Sequence, residues 1–320
     1  MTRSTLKYIL RRLFYLIPIL ILTSILMFSI IYLAPGDPVT IMLGMEGGSK
    51  EVAETLREQL GLNRPPYVQY FQWVSNMLQG NFGHSIAYLK GQSIAILIKQ
   101  RLPVTFTLAV FALFIALCLA IPIGTISAIH RGKFIDHIVT TFSILGISMP
   151  GFWVGFILII LFSLKLGWLP TIGFVSFFEN PWQALRHITM PAFALAIPLA
   201  AVITRMLRVC ILENLNKEYV LTAKAFGIPN RKLIFHYILR NSLIPTITVI
   251  GLNVRYLVAG SVVIEKVFGI AGLGALLADA VFARDFVVLQ GSVMVLVTLI
   301  VLANLVVDVL YAYLDPRITY

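Results

Sequence analysis

The sequence predicts an all-α integral membrane protein with about six transmembrane helices and a small insert after the first. Three observations carry that expectation. Of its 320 residues, 59% are apolar and only 12% charged, whereas a soluble domain carries about 25% charged residues. The mean hydropathy of +0.91 is an excess that no single water-facing core absorbs, so lipid is the implied solvent. The apolar residues also come in uncharged runs that reach the length of about 20 residues needed to cross about 30 Å of hydrocarbon.

Taken in order, the expected spans are Leu13–Leu33, Leu102–Ile129, Ile138–Leu164, Ile188–Ile211, Leu243–Ile264 and Phe286–Tyr311. The first follows Arg3, Lys7, Arg11 and Arg12, as the apolar part of a cleavable signal would. It is longer than the 7–15 residues typical of one, and no small-residue cleavage site follows, so it reads as a retained span. The fourth is the least regular, being interrupted or fringed by Pro191, Pro198, Arg205 and Arg208. Prolines are tolerated in membrane helices where neighbours satisfy the freed carbonyls.

Lys and Arg near the span ends set the orientation. A cytoplasmic N-terminus places fourteen of them inside, seven in or beside the loop between spans four and five. The outside segments carry ten, six of them in the long first loop, where they count for little; the short loops hold only Lys165, Arg186, Lys266 and Arg284. Both termini are therefore expected in the cytoplasm. The chain divides into a basic segment with the first helix (1–33), an extracytoplasmic subdomain (34–101) and a core permeating the membrane (102–320) with a cytoplasmic loop at 213–241. Within the subdomain, Ser49 is placed to cap a helix carrying Val52, Leu56 and Leu60 and stopped by Gly61. Pro65 and Pro66 open a second helix with Tyr67, Tyr70, Phe71, Val74 and Leu78 at helical spacing. These stripes are expected to pack on each other and on the membrane domain, with docking of a partner as a compatible second role.

The net charge of +11 does not indicate a nucleic-acid partner, because the basic residues sit beside the apolar runs and not on a soluble face. Cys118 and Cys210 lie in or at the edge of different spans and read as packing thiols. His84, His130, His137, His187 and His236 are scattered, with no His-Glu-x-x-His or close Cys/His set, which argues against a metal centre. No Gly-x4-Gly-Lys-Ser/Thr phosphate loop is present. Gly269-Ile-Ala-Gly-Leu-Gly274 matches a nucleotide loop only in part and reads as a bend between spans. Converging nucleophile and base residues, which an intramembrane hydrolase needs, are not found within the spans; a channel working alone is the other rival.

The loop between spans four and five is heavily punctuated. Thr222–Phe226 favours a short helix, Gly227 can end it, Pro229 blocks its continuation, and Arg231–Leu239 forms a second helix returning to the membrane. Tyr219-Val-Leu-Thr-Ala-Lys-Ala-Phe-Gly227, then His236-Tyr-Ile-Leu-Arg-Asn-Ser-Leu-Ile-Pro245, resembles the EAA loop of ABC importer permeases, in the peptide and nickel branch. Of the general pattern Glu-Ala-Ala-x3-Gly-x9-Ile-x-Leu-Pro, Ala223, Gly227 and Leu239 fit, while Leu221, Thr222 and Arg240 depart. Leu33-Ala-Pro-Gly-Asp-Pro38, Leu60-Gly-Leu-Asn-Arg-Pro-Pro-Tyr-Val-Gln-Tyr70, Glu265-Lys-Val-Phe268, Gly272-Leu-Gly274, Arg284-Asp285, Asn304-Leu-Val-Val-Asp308 and Asp315-Pro-Arg317 are similar to the same branch. The resemblance thus covers essentially the whole chain.

It implies the type I ABC importer permease fold in the cytoplasmic membrane. It also implies a second homologous permease, two ATPase subunits that hold the ATP and magnesium, and an extracytoplasmic solute-binding protein. No cofactor is implied for this chain. Peptides are the implied cargo, with nickel, a metal chelate or another small solute left open. Tyr219, Thr222, Ala223, Ala225, Gly227, His236, Arg240, Asn241 and Pro245 become the expected ATPase-coupling residues, with Ala223 small enough to suit insertion into a cleft on an ATPase. Arg255, deep within a span, either borders the translocation path or serves a structural or interfacial pairing, unless the span itself is misplaced. Asp308 is offset from it by about 8 Å in depth.

Overall fold

A computed structural model describes residues 3–33, 54–55, 57–58 and 63–314. The helices are α1 (Arg3–Leu33), α2 (Pro66–Leu78), α3 (Ile94–Ile129), α4 (Phe134–Ser148), α5 (Gly151–Leu158, continued by a wider π turn over Ile159–Lys165) and α6 (Pro181–Leu215). They continue with α7 (Glu218–Ala225), α8 (Asn230–Val267), α9 (Leu273–Phe282) and α10 (Phe286–Leu314). Five of them are long and apolar enough to cross a membrane, or six if α4 and α5 count as one span. Of the helix expected from Ser49 to Leu60, only residues 54–55 and 57–58 are described, and these are helical; the rest lies outside the described residues.

The third expected span, Ile138–Leu164, is not one straight helix: α4 and α5 meet at 106°. Met149 and Pro150 are both extended at the corner (ψ 126° and 136°). Pro150 favours this, since its ring disfavours the helical region for the residue before it and it has no N–H to continue the ladder. By contrast, Pro191 and Pro198 leave α6 continuous over 35 residues. The stretch after Gly269, read from sequence as a bend between spans, instead turns at Gly269 and then enters the ten-residue helix α9.

The described residues cluster into two compact units, one drawn from 3–9, 106–270 and 302–314, the other from those within 10–105 and from 271–301. In the first, α6 is the centre, packed against α4, α5 and α8. Helices approach closely through small residues, as is usual where lipid offers no hydrophobic contrast. A Cβ on Gly124 of α3 would lie 3.0 Å from the Thr204 carbonyl of α6, and one on Gly146 of α4 would lie 3.0 Å from the Ala201 Cβ. The Asp136 carboxylate, in the first turn of α4, receives both Nε and Nη2 of Arg208 on α6 at 2.7 Å, Ser127 Oγ at 2.6 Å and the Gly132 amide at 2.9 Å.

In the second unit the Asp285 carboxylate, 1% exposed, ties distant segments together. Its Oδ2 accepts Ser85 Oγ (2.7 Å) and the successive amides of Ile86, Ala87 and Tyr88 (2.9, 2.9 and 3.1 Å), while Oδ1 accepts the Val288 amide and so caps α10. Burial pushes this carboxyl up, but the donors outweigh it and hold Asp285 below the usual carboxylate range. Also in this unit, α2 rests on α1: Tyr70 Oη and Ser24 Oγ share a hydrogen bond of 2.8 Å, Tyr32 donates to Gln69 Oε1, and the Phe28 ring meets those of Tyr70 and Trp73. The expected apolar stripe of α2 therefore divides. Tyr70 faces α1, whereas Tyr67, Phe71 and Leu78 are 67%, 68% and 85% exposed, because at about 100° per residue these three fall within about 40° of one another, on a different face from the Gln69, Tyr70 and Trp73 that meet α1.

Candidate functional site

The punctuated loop forms a docked helix with two distinct faces. Lys217 enters α7 extended, with Glu218 in the first turn and Lys224 in the last, each complementing the helix dipole. Eight residues are too few for a stable isolated helix in water, so α7 depends on what it packs against. Val220 is wholly buried and Ala223 is 9% exposed. Both join Leu207 and Ile211 of α6, Leu233 and Ile238 of α8 and Ala128 of α3 in one aliphatic cluster. Ala223 thus points toward this chain's own helices, where its small size serves close packing.

The helix ends in a Schellman arrangement. Gly227 takes φ 73°, its amide donates to the Lys224 carbonyl (2.9 Å), and the Ile228 amide donates to Ala223 (3.1 Å). Glycine suits this left-handed position because it has no Cβ to strain. Ile228 then folds back onto the same aliphatic cluster, supplying the apolar contact that accompanies such a cap. Pro229, extended, starts α8. Its first turns include a wide π stretch over Leu233–Ile238, so the second expected helix runs on without interruption into the fifth span.

A polar latch fixes the ends of α6, α7 and α8 to one another. Buried Asn214 of α6 donates Nδ2 to Ser242 Oγ of α8 (3.1 Å) and to the Cys210 carbonyl (2.9 Å), while its Oδ1 accepts Tyr219 Oη of α7 (3.2 Å). Sequence reasoning named Tyr219 but missed Asn214 and Ser242. The available signal was a polar residue near each end of two apolar runs flanking the same loop.

The remaining expected residues scatter over the outer surface. Thr222, Ala225, His236, Arg240 and Asn241 are exposed, and Pro245 is half-buried within α8. The outer face of α7 presents Leu221 (63% exposed) and, just past its end, Phe226 (82%). Beside it, Pro229, Arg231, Lys232, Phe235 and His236 line a shallow concavity of about 620 Å³. Arg255 is exposed on α8, its guanidinium 5.3 Å from the Tyr256 ring centre. Among the described residues no group of three or more His, Cys, Asp or Glu is placed to hold a metal ion. The arrangement offers an apolar-tipped projection on a helix bundle.

Comparison with known proteins identifies the family. Residues 120–320 match the family model described as binding-protein-dependent transport system inner membrane component. Residues 5–109 match the model for the N-terminal part of such membrane components. The chain is 41% identical to the oligopeptide transport system permease protein AppB of Bacillus subtilis, over 98% of this chain and 99% of that one. It is 38% identical to the glutathione transport system permease protein GsiC of Escherichia coli K12, with the same coverage. Among solved structures it is similar in fold to a chain of the inward-facing MetNI methionine ABC transporter. That likeness has a TM-score of 0.55 at 17% identity and covers 68% of this chain and 96% of that one.

Proposed function

The chain belongs to the family of binding-protein-dependent transport system inner membrane components, and from that premise we propose that it forms half of the translocation path of an ATP-driven importer of di- and oligopeptides. Membership makes it a multi-pass inner membrane permease and a transport component, not itself an enzyme. An ATPase and a binding protein are the partners the family implies. In the fuller reading, a second homologous permease completes the path, two ATPase subunits hold ATP and magnesium, and the solute-binding protein delivers cargo from outside. Membrane lipid surrounds the pair, and nucleic acid has no part. The oligopeptide and glutathione permeases among its relatives support peptide as the cargo. The charge asymmetry of the loops supports cytoplasmic termini, with α7 on the same side.

One observation carries the mechanical part of the reading. α7 hides its small and branched residues, Val220 and Ala223, and shows Leu221 and Phe226 to solvent, an arrangement suited to receiving an ATPase surface. Displacing α7 then moves α6 and α8 with it through Tyr219, Asn214 and Ser242. The helices of the permease pair would alternate between outward-facing and inward-facing arrangements. Arg255, exposed on α8 of this chain alone, is assigned to the border of the path in the assembled pair.

The test is Leu221→Asp combined with Phe226→Asp, which leaves the inner cluster intact. The doubly substituted chain is expected to insert and pair with the second permease, yet release the ATPases and reduce peptide uptake to background. Uptake at the parent rate, with both ATPases retained, would remove the coupling assignment.

A further inference from the structure

We propose that α2 is a lipid-embedded interfacial helix, with Tyr67, Phe71 and Leu78 in contact with acyl chains at the membrane boundary, and not part of a water-borne subdomain. The argument is one of depth. The apolar span of α1 runs over Arg11–Ile30, and its hydrocarbon part starts past Arg11 and Arg12, at about Leu13. At about 1.5 Å per residue, Phe28 stands about 22 Å and Tyr32 about 28 Å along α1 from that point. The hydrocarbon is about 30 Å thick. The contacts of α2 fall at these levels: Tyr70 on Ser24 and Phe28, Trp73 on Phe28, Gln69 on Tyr32. The middle of α2 therefore sits about 8 Å inside the boundary, within the 5–10 Å depth of helices that lie in the interface.

The surface chemistry agrees with the depth. Only 6% of the residues of the α1 span are buried, and Leu22, Ile25, Leu26 and Tyr32 are exposed along it. The exposed stripe Tyr67, Phe71 and Leu78 lies on the helix packed against that exposed apolar span. Water would leave this stripe as an unpaired apolar face, while lipid covers it at no cost in polar groups. α2 also carries no charged residue, and charges are what a helix at this depth has to avoid. Its polar side chains deal with the same constraint. Gln69 is paired to Tyr32 and to the Arg64 carbonyl, and Tyr70 to Ser24. Aromatic rings with a polar tip are favoured in this zone, and α2 with the facing turns of α1 supplies Tyr32, Tyr67, Tyr70 and Trp73.

Spin labels measure this directly. Phe71→Cys, Leu78→Cys and, on a polar exposed position, Gln72→Cys are placed in a Cys118→Ser background, Cys210 being buried. The assembled transporter is reconstituted in phosphatidylcholine vesicles, and retained uptake certifies each variant; Tyr67→Cys replaces either apolar site if uptake is lost. Oxygen, which concentrates in acyl chains, should relax the Phe71 and Leu78 labels several-fold more than a water-soluble nickel chelate does, with the ratio reversed at Gln72. Equal relaxation by the nickel chelate at all three sites would overturn the proposal in favour of an aqueous helix. Shielding from both agents without any added protein would place another segment of the transporter over the stripe and overturn the proposal. A label open to the nickel chelate until purified solute-binding protein is added would make the stripe a protein-docking surface instead.

Discussion

Ala223→Glu tests whether the inner face of α7 is what gives the loop its rigidity. Full burial of Val220 contributes about 1.5–3 kcal/mol, and the Ala223 methyl with the partly buried Ile228 adds about 1–2 kcal/mol. The docking of α7 thus rests on about 3–5 kcal/mol, with the Tyr219–Asn214 hydrogen bond adding about 1 kcal/mol. A glutamate at position 223 must place its carboxylate among Leu207, Ile211, Leu233 and Ile238. An uncompensated buried charge costs several kcal/mol, and the extra volume costs about 1–3 kcal/mol more in a packed cluster. The penalty equals or exceeds the docking energy, so α7 should leave its seat. Val220→Cys reports this: a water-soluble maleimide should be excluded from it in the parent chain and should label it when Ala223→Glu is added. Uptake and ATPase retention should fall together in the same preparation, while Ala223→Ser keeps both. Val220→Cys remaining protected while uptake is lost would refute the packing account and return Ala223 to a direct partner contact. Normal uptake with protection intact would refute both.

Three further outcomes are expected. Cysteines introduced at Asn81 and Asn230 should label from opposite sides of sealed cells; labelling from one side would overturn the orientation taken from loop charge. Arg255→Ala should lower transport while assembly and basal ATPase activity stay near normal, whereas failure to assemble would assign the guanidinium a structural partner. The Asp285 carboxyl is held below its ordinary value in the fold, so its stabilisation is complete above about pH 4 and fades as pH falls through the lower folded value. Protection of the Ile86–Tyr88 amides, taken relative to their intrinsic exchange rates at each pH, should therefore fall on acidification below about pH 4, and in Asp285→Asn it should be low already at neutral pH. Equal exchange rates in parent and variant at neutral pH would count against the carboxylate as the anchor.

The spans were legible because membrane crossing is written in length and hydropathy, which a sequence displays directly. Direction is not written there. Ile138–Leu164 has one continuous hydropathy, and the 106° corner depends on Met149 and Pro150 leaving the helical region, which Pro191 and Pro198 in α6 do not cause. α9 escaped notice because ten residues are too few for a span and its glycine-rich approach resembled a loop. In the candidate site, Gly227 announced itself, since a glycine ahead of a proline after a helical stretch has few other uses. Ala223 showed its size but not its facing. Val220, three residues earlier, shares its face, and together with Leu233 and Ile238 it could have shown that this face was already occupied. Asn214 and Ser242 carried no local sign of being partners, because the hydrogen bond joining them crosses 28 positions of chain.

The Asp285 junction sets an order on the birth of the protein. Ser85 and its acceptor are 200 residues apart, and a ribosome adding about 5–20 residues per second needs about 10–40 s to supply the second after the first. Throughout that interval the amides of Ile86, Ala87 and Tyr88 lack the oxygen that will hold them, so water must serve them, and hydrocarbon cannot. The segment after α2 is therefore obliged to wait at the wet edge of the bilayer until α9 and the first turn of α10 have been made. A segment made in the first third of the chain is thus among the last to be finished.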